Sequence, residues 1–216
     1  MKEIKSIVSG VTVVGKIDEY IFYNRLGVPC VRRAPRKRRD PDSFSPAQQV
    51  GQARLRYLVS LYQALTPTSV LQAWSKAKKR PGQTRFNAFV SRNYAAFCKD
   101  EAIADYARVK MSEGDLRLPL GIAATVSGTR EITLTWDTEK DRIMGKTDDR
   151  LHVLLMAGDG SFRTVARDNL TELRGDGQAV VRLTPEEGLP EHLYCFWESA
   201  NGQNFSPSKH IHIIWE

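Results

Sequence analysis

Three groups of side chains in this sequence have the types and spacing to do chemistry. His210 and His212 stand two apart in a β-forming stretch, so on a strand both point to one face and offer imidazole nitrogens to a metal ion. Structural zinc almost always takes four ligands, and no third partner lies near the pair in sequence, so the two read as structural or solvent-facing histidines and no metal or cofactor is expected. The doublets Asp148-Asp149 and Glu186-Glu187 offer paired carboxylates, but they fall in expected loops or at strand ends. General acid–base work needs convergence in a pocket and a shifted pKa, so these doublets read as solvated surface. The chain carries no Gly-rich phosphate loop, no Gly-x-Ser-x-Gly elbow, no His-Glu-x-x-His and no calcium loop, and it is not expected to be an enzyme.

The third group stands above the background. Arg32, Arg33, Arg36, Lys37, Arg38 and Arg39 place six cations within eight residues, bracketed in its second half by Pro35 and Pro41. All but one are arginine, the side chain suited to bidentate phosphate contact. If all six touched phosphate, counterion release would give a log–log salt slope of about −5 on a duplex. Polyanion or nucleic-acid binding is one reading, a solvated linker is a second, and assembly through charge complementarity with the acidic C-terminal half is a third.

The charge balance frames this run. The 216 residues carry a net charge of +7, yet Met1 to Lys99 holds +14 and Asp100 to Glu216 holds −7. Such a division marks two modules with different partners, or two that attract each other within or between chains. The hydrophobic content of 41% is ordinary for a chain that builds its own core. Cys30, Cys98 and Cys195 are odd in number and widely spaced, which reads as reduced and mostly buried. The early apolar run from Ile7 to Val14 is interrupted and has no cleavage site after it, and no stretch is long enough to span a membrane. A cytoplasmic protein without membrane contact is expected.

The elements that would position these groups follow from periodicity. Residues 11 to 33 are rich in β-formers with a turn at Asn24 to Gly27, predicting a β-hairpin or ribbon that must rest on something, most simply the helices that follow. Ser45-Pro46-Ala47-Gln48 has the form of a capping box with proline at the first helical position. Behind it Val50, Ala53, Tyr57, Leu58, Leu61 and Leu65 recur at helical spacing, ending near Thr66-Pro67. A second helix from Ser69 ends in Lys76 to Arg80 before Pro81-Gly82, and a third starts near Thr84. From Leu118 the chain becomes short strands (132–136, 151–156, 179–183, 193–197 and 211–215) with turn signals at Gly128-Thr129, Asp159-Gly160, Asp176-Gly177 and Asn201-Gly202, the pattern of a β-sandwich.

Two resemblances bear on this layout. Ile132-Thr133-Leu134-Thr135-Trp136 resembles the second strand of a fibronectin type III domain, and Tyr194 to Gly202 followed by Ser206-Pro207-Ser208 is similar to its sixth strand, turn and last-strand entry. The whole chain also resembles a family of uncharacterised Bacteroidota proteins through Arg33, Pro35, Lys37, Pro41, Ser43 or Ser45, Gln48, Gln52 and Arg54, although Asp40-Pro41-Asp42-Ser43 replaces that family's usual Asn-Pro-Arg-Thr. The first implies a fold and the second an architecture, with no chemistry attached.

The expected fold is thus α+β in two domains: a β-ribbon with helices over 1–105, and an all-β fibronectin type III or immunoglobulin-like sandwich over 119–216. The expected role is a non-enzymatic binding or structural protein whose basic segment contacts nucleic acid or another polyanion. The alternative is a protein–protein assembly adaptor, as in a virion or surface assembly, that docks a partner or self-associates through the sandwich.

Overall fold

A computed structural model describes residues 14–25, 27–35, 44–66, 68–138 and 145–215. Its helices and antiparallel sheets make it an α+β protein. The chain forms two compact units, Met1–Gln48 with Arg80–Gly82 and Gln49–Lys79 with Gln83–Glu216.

The first unit contains a three-stranded antiparallel ribbon of β1 (Gly15–Ile17), β2 (Tyr20–Arg25) and β3 (Val28–Arg33). Both hairpins have two-residue loops, since Ile17 pairs with Tyr20 and Arg25 with Val28. Asp18 in the first loop and Gly27 in the second take positive φ, 52° and 83°, as loops matched to strand twist require. Beside the turn expected at Asn24 to Gly27, Asp18-Glu19 turns the chain as well, so the hairpin or ribbon expected here has three strands. The capping box forms as read from sequence. The Gln48 N–H donates to Ser45 Oγ at 3.3 Å and the Ser45 N–H to Gln48 Oε1 at 2.9 Å, starting α1 (Pro46–Ala64).

The second unit holds most of α1, then α2 (Ser69–Lys76) and α3 (Arg85–Asn93), the latter capped by Thr84, whose hydroxyl accepts from the Asn87 N–H at 3.2 Å. Seven strands follow: β4 (Ala123–Ser127), β5 (Glu131–Thr135), β6 (Arg150–Met156), β7 (Thr164–Arg167), β8 (Gln178–Arg182), β9 (His192–Glu198) and β10 (Lys209–His212). They form two antiparallel sheets in the orders β4-β5-β8 and β10-β9-β6-β7. The last strand stops at His212, earlier than the predicted 211–215, and Trp215 instead donates its indole N–H to the Pro190 carbonyl at 2.7 Å.

Strands β6 and β9 are buried on both faces, and that decides how the unit packs. Leu151, Val153 and Leu155 of β6 and Leu193, Cys195 and Trp197 of β9 share one core with Ile132 and Leu134 of β5 and Ala179 and Val181 of β8. The alternate residues, Leu154 and Met156 of β6 and Tyr194 and Phe196 of β9, share a second core with Leu58 and Leu61 of α1, Val70 and Trp74 of α2, and Phe89 of α3. Side chains alternate across a strand, so one sheet serves two layers at once. The packing therefore divides the chain differently from the expected 1–105 and 119–216. The helices belong with the strands, because the outer face of β6 and β9 is apolar and has to be covered.

A shared core couples the helices to the sheets. Phe196→Ala is expected to cost about 3–5 kcal/mol, with helical signal in circular dichroism and tryptophan fluorescence lost in one coincident urea transition. Helices that melt separately from the tryptophan signal would show the two cores to be independent.

Candidate functional site

The ribbon positions the first part of the basic run. Residues directly opposite on paired strands share a face, so Lys16, Ile21 and Arg32 form one row, followed by Tyr23 with Cys30 and Arg25 with Val28. The strand residues of this face include three exposed cations, Lys16, Arg25 and Arg32, and no acid. The Arg32 guanidinium lies 5.9 Å from the centroid of the half-buried Tyr23 ring, at the outer limit of a cation–π contact. The other face carries Ile17, Tyr20, Phe22 and Val31 with a single cation, Arg33, whose Nε donates to Glu19 Oε2 at 3.0 Å. Arg32 and Arg33, predicted to act together, thus point to opposite faces and differ in availability. Arg36, Lys37, Arg38 and Arg39 lie outside the described residues. Lys16, Arg25 and Tyr23 were missed in the sequence because only strand register brings them beside Arg32.

Three cations of the helical segment, Lys76, Lys78 and Arg92, have protein partners. Lys76 Nζ donates to Gln203 Oε1 at 2.7 Å, and Lys78 pairs with Asp115 at 2.9 Å. Arg92 pairs with Glu113 at 2.8 Å.

The acidic doublets are not simply solvated. Asp149 is 1% exposed. It accepts from the Lys146 N–H at 2.8 Å and pairs with Arg174 at 3.3 Å, while burial pushes its pKa up. Solvation was the wrong expectation here, since a backbone donor and a guanidinium compensate the buried charge. Glu187 lies at the edge of a mainly apolar pocket of about 240 Å³ that includes Leu155, Val165, Leu183 and Leu189. Its carboxylate accepts from Arg167 and from the Thr184 N–H at 2.9 Å, and the Arg167 hydrogen bond leads in holding its pKa low. One member of each doublet, Asp149 and Glu187, serves local structure.

Histidines gather in two places. His210 and His212 do share a face, and the opposite strand adds His192, whose Nδ1 lies 3.1 Å from His210 Nε2. Tyr106 stacks on the His192 ring at 3.6 Å between centroids, held by Tyr106 Oη donating to the Gly158 carbonyl. Burial, then the neighbouring His210 and His212, push His192 down to about 4, and burial with His212 also lowers His210. Among the described residues no group of three His, Cys, Asp or Glu side chains is arranged to hold a metal ion. His192 could have been found only through the β9–β10 register, which lies beyond sequence spacing.

The second place is His152 on the helix-facing side of β6, where it stacks on Phe196. Its Nε2 lies 2.8 Å from Glu198 Oε2 and its Nδ1 3.3 Å from Asp168 Oδ1. Asp168 also accepts from the Ser69 hydroxyl at 2.5 Å and the Ser69 N–H at 3.0 Å, so it caps α2 from 99 residues away, at an end where Thr68 supplies no side-chain cap. Burial works against charge on His152, but the bonds to Asp168 and Glu198 outweigh it and raise the pKa. Burial likewise opposes ionised Asp168, yet His152 and Ser69 hold its pKa low. The serine meets the aspartate and not the imidazole, so this chain of contacts is a charged brace and not a nucleophile with its base.

No family model and no curated protein matches the chain. Among solved structures, the fn3 domain of human contactin 1 is similar at 13% identity with a TM-score of 0.31, over 49% of this chain and 82% of that one. The resemblance to a Bacteroidota family rests only on the residues quoted for it. No helix of the described residues is long and apolar enough to cross a membrane.

The two histidine sites give pH dependences of opposite sign. His192, with its folded pKa near 4 against about 6.5 unfolded, favours the neutral ring, so its contribution is present at neutral pH and lost as pH falls from about 6.5 to about 4. His152, with a raised pKa, contributes fully below about 6.5 and loses its contribution as pH rises through the folded value. In urea unfolding across this range, His192→Gln is expected to flatten the acid loss and His152→Gln to flatten the alkaline one. The same slope in wild type and both variants would refute the assignment.

Proposed function

We propose that the protein is a non-enzymatic binding protein whose ribbon and basic run contact nucleic acid or another polyanion, with a fibronectin type III-like sandwich in its second unit. The observation carrying the binding reading is the ribbon face on which Lys16, Arg25 and Arg32 stand exposed without an acid among its strand residues. The run continues in sequence through Arg33, Arg36, Lys37, Arg38 and Arg39. Cations clustered on one face are the electrostatic footprint of phosphate recognition. The sandwich reading is supported by the strand order, in which β4, β5 and β8 face β10, β9, β6 and β7 across one core. Such a domain is a scaffold or docking module and defines no chemistry. Three free cysteines, two of them buried, fit a reducing compartment such as the cytoplasm.

Fluorescence anisotropy with a labelled oligonucleotide across a salt series tests the reading. Wild type is expected to lose affinity steeply with salt, with a log–log slope approaching about −5 on a duplex or about −4 on a single strand if six phosphates are contacted. Changing Arg32, Arg33, Arg36, Lys37, Arg38 and Arg39 to glutamine should flatten that slope. No binding at about 50 mM salt would sink the proposal and turn attention to assembly through the sandwich.

A further inference from the structure

The ribbon face that holds the cations also holds an aromatic ring. Tyr23 sits on β2 between the Ile21–Arg32 pair and the Arg25–Val28 pair, so cations stand on either side of it along the strand. Same-face neighbours on a strand are about 6.7 Å apart, close enough for one nucleotide to lay its base on the ring and its phosphate against a neighbouring cation. On the same face Val28 is exposed, Ile21 is half-buried, and Cys30, paired directly with Tyr23, is buried, so the open apolar surface beside the ring lies toward Val28. Arg32, whose guanidinium approaches Tyr23, adds a second plane on which a base can stack.

The width of the face decides between duplex and single strand. Three strands span about 10 Å from backbone to backbone before any side chain is added, whereas a major groove about 12 Å wide admits an α-helix or a two-stranded ribbon. Bases paired in a duplex would also keep their faces away from Tyr23. A free strand can turn its bases onto the sheet while its phosphates meet Lys16, Arg25 and Arg32.

We infer that this face of the ribbon binds single-stranded nucleic acid, with a base stacked on Tyr23 and phosphates on Lys16, Arg25 and Arg32. The inference rests on the polyanion reading above and adds recognition of bases to recognition of charge. Stacking has no sequence code, since every base presents a π-face, so binding is tolerant of sequence.

The test compares a labelled deoxythymidine oligomer with an abasic oligomer of the same length, a duplex and heparin, all with the full chain. The thymidine oligomer is expected to bind roughly five- to a hundredfold more tightly than the abasic one, and more tightly than the duplex. Tyr23→Leu, which keeps an apolar side chain, should erase the advantage over the abasic strand and leave heparin binding unchanged, while Tyr23→Phe should preserve it. Equal affinity of wild type for thymidine and abasic strands would overturn base stacking while leaving the polyanion reading intact, and this comparison needs no variant to fold. Duplex binding as tight as single-strand binding would also overturn the inference. Failure of every oligomer and of heparin to bind at about 50 mM salt would remove the polyanion reading, and the inference with it.

Discussion

Strands β6 and β9 have no polar face, and the arrangement of the second unit follows from that constraint. A sheet in a two-layer sandwich normally turns one face to water and alternates accordingly, whereas a strand covered on both sides reads as a nearly continuous apolar run. Leu151 to Met156 and Leu193 to Trp197 are such runs, broken in β6 only by His152. One set of side chains completes the core with β5 and β8, and the other requires α1, α2 and α3. Removing the helices would expose Leu154, Met156, Tyr194 and Phe196 together, an apolar surface that a monomer in water rarely leaves open.

The same constraint explains the one buried polar side chain of β6. His152 lies on the face the helices cover, so it has to find partners there, and Glu198 and Asp168 provide them. Asp168 is in turn anchored by the start of α2, where the unpaired N–H groups of a helix favour a carboxylate. Burial, charge and helix geometry are thereby linked, since the carboxylate that makes a buried histidine tolerable also ends the backbone of the helix lying over it. A buried pair of this kind contributes modest net stability, but loss of one partner leaves a charge without compensation, so it acts as a constraint on how helix and sheet meet.

Elements governed by local chemistry were legible in the sequence. The capping box at Ser45, the helix starts at Ser69 and Thr84, and most strands of the two sheets of the second unit were read from spacing and turn residues, which act within a few positions. β4, β7 and the grouping of helices with strands were not read. β7 has only four residues, half-buried along its length, and offers little alternation. The grouping was visible as missing alternation in β6 and β9, but a short apolar run can equally be a buried helix segment or a strand with one partner layer. The candidate site divides in the same way. A run of cations is a sequence fact, while the faces that Arg32 and Arg33 occupy, and the arrival of Lys16, Arg25 and Tyr23 beside Arg32, are set by register across two hairpins. A shift of one residue would send every one of these side chains to the other face.

Register also changes the meaning of the charge asymmetry. A half with +14 suggests one broad positive field, but part of that charge is answered by the other half. Lys78 meets Asp115, Arg92 meets Glu113, and Lys76 meets the amide of Gln203. These pairs are mostly exposed and individually worth little, yet they place acids of the C-terminal half beside helical cations and so lower the potential there. The ribbon face has no such acids among its strand residues. Arg33 is the exception on the ribbon, bound to Glu19 of the β1–β2 turn, and it lies on the opposite face from Arg32. Net charge counts every cation equally, whereas a phosphate responds to the local potential, and on this ribbon face Lys16, Arg25 and Arg32 stand exposed with no acid among its strand residues.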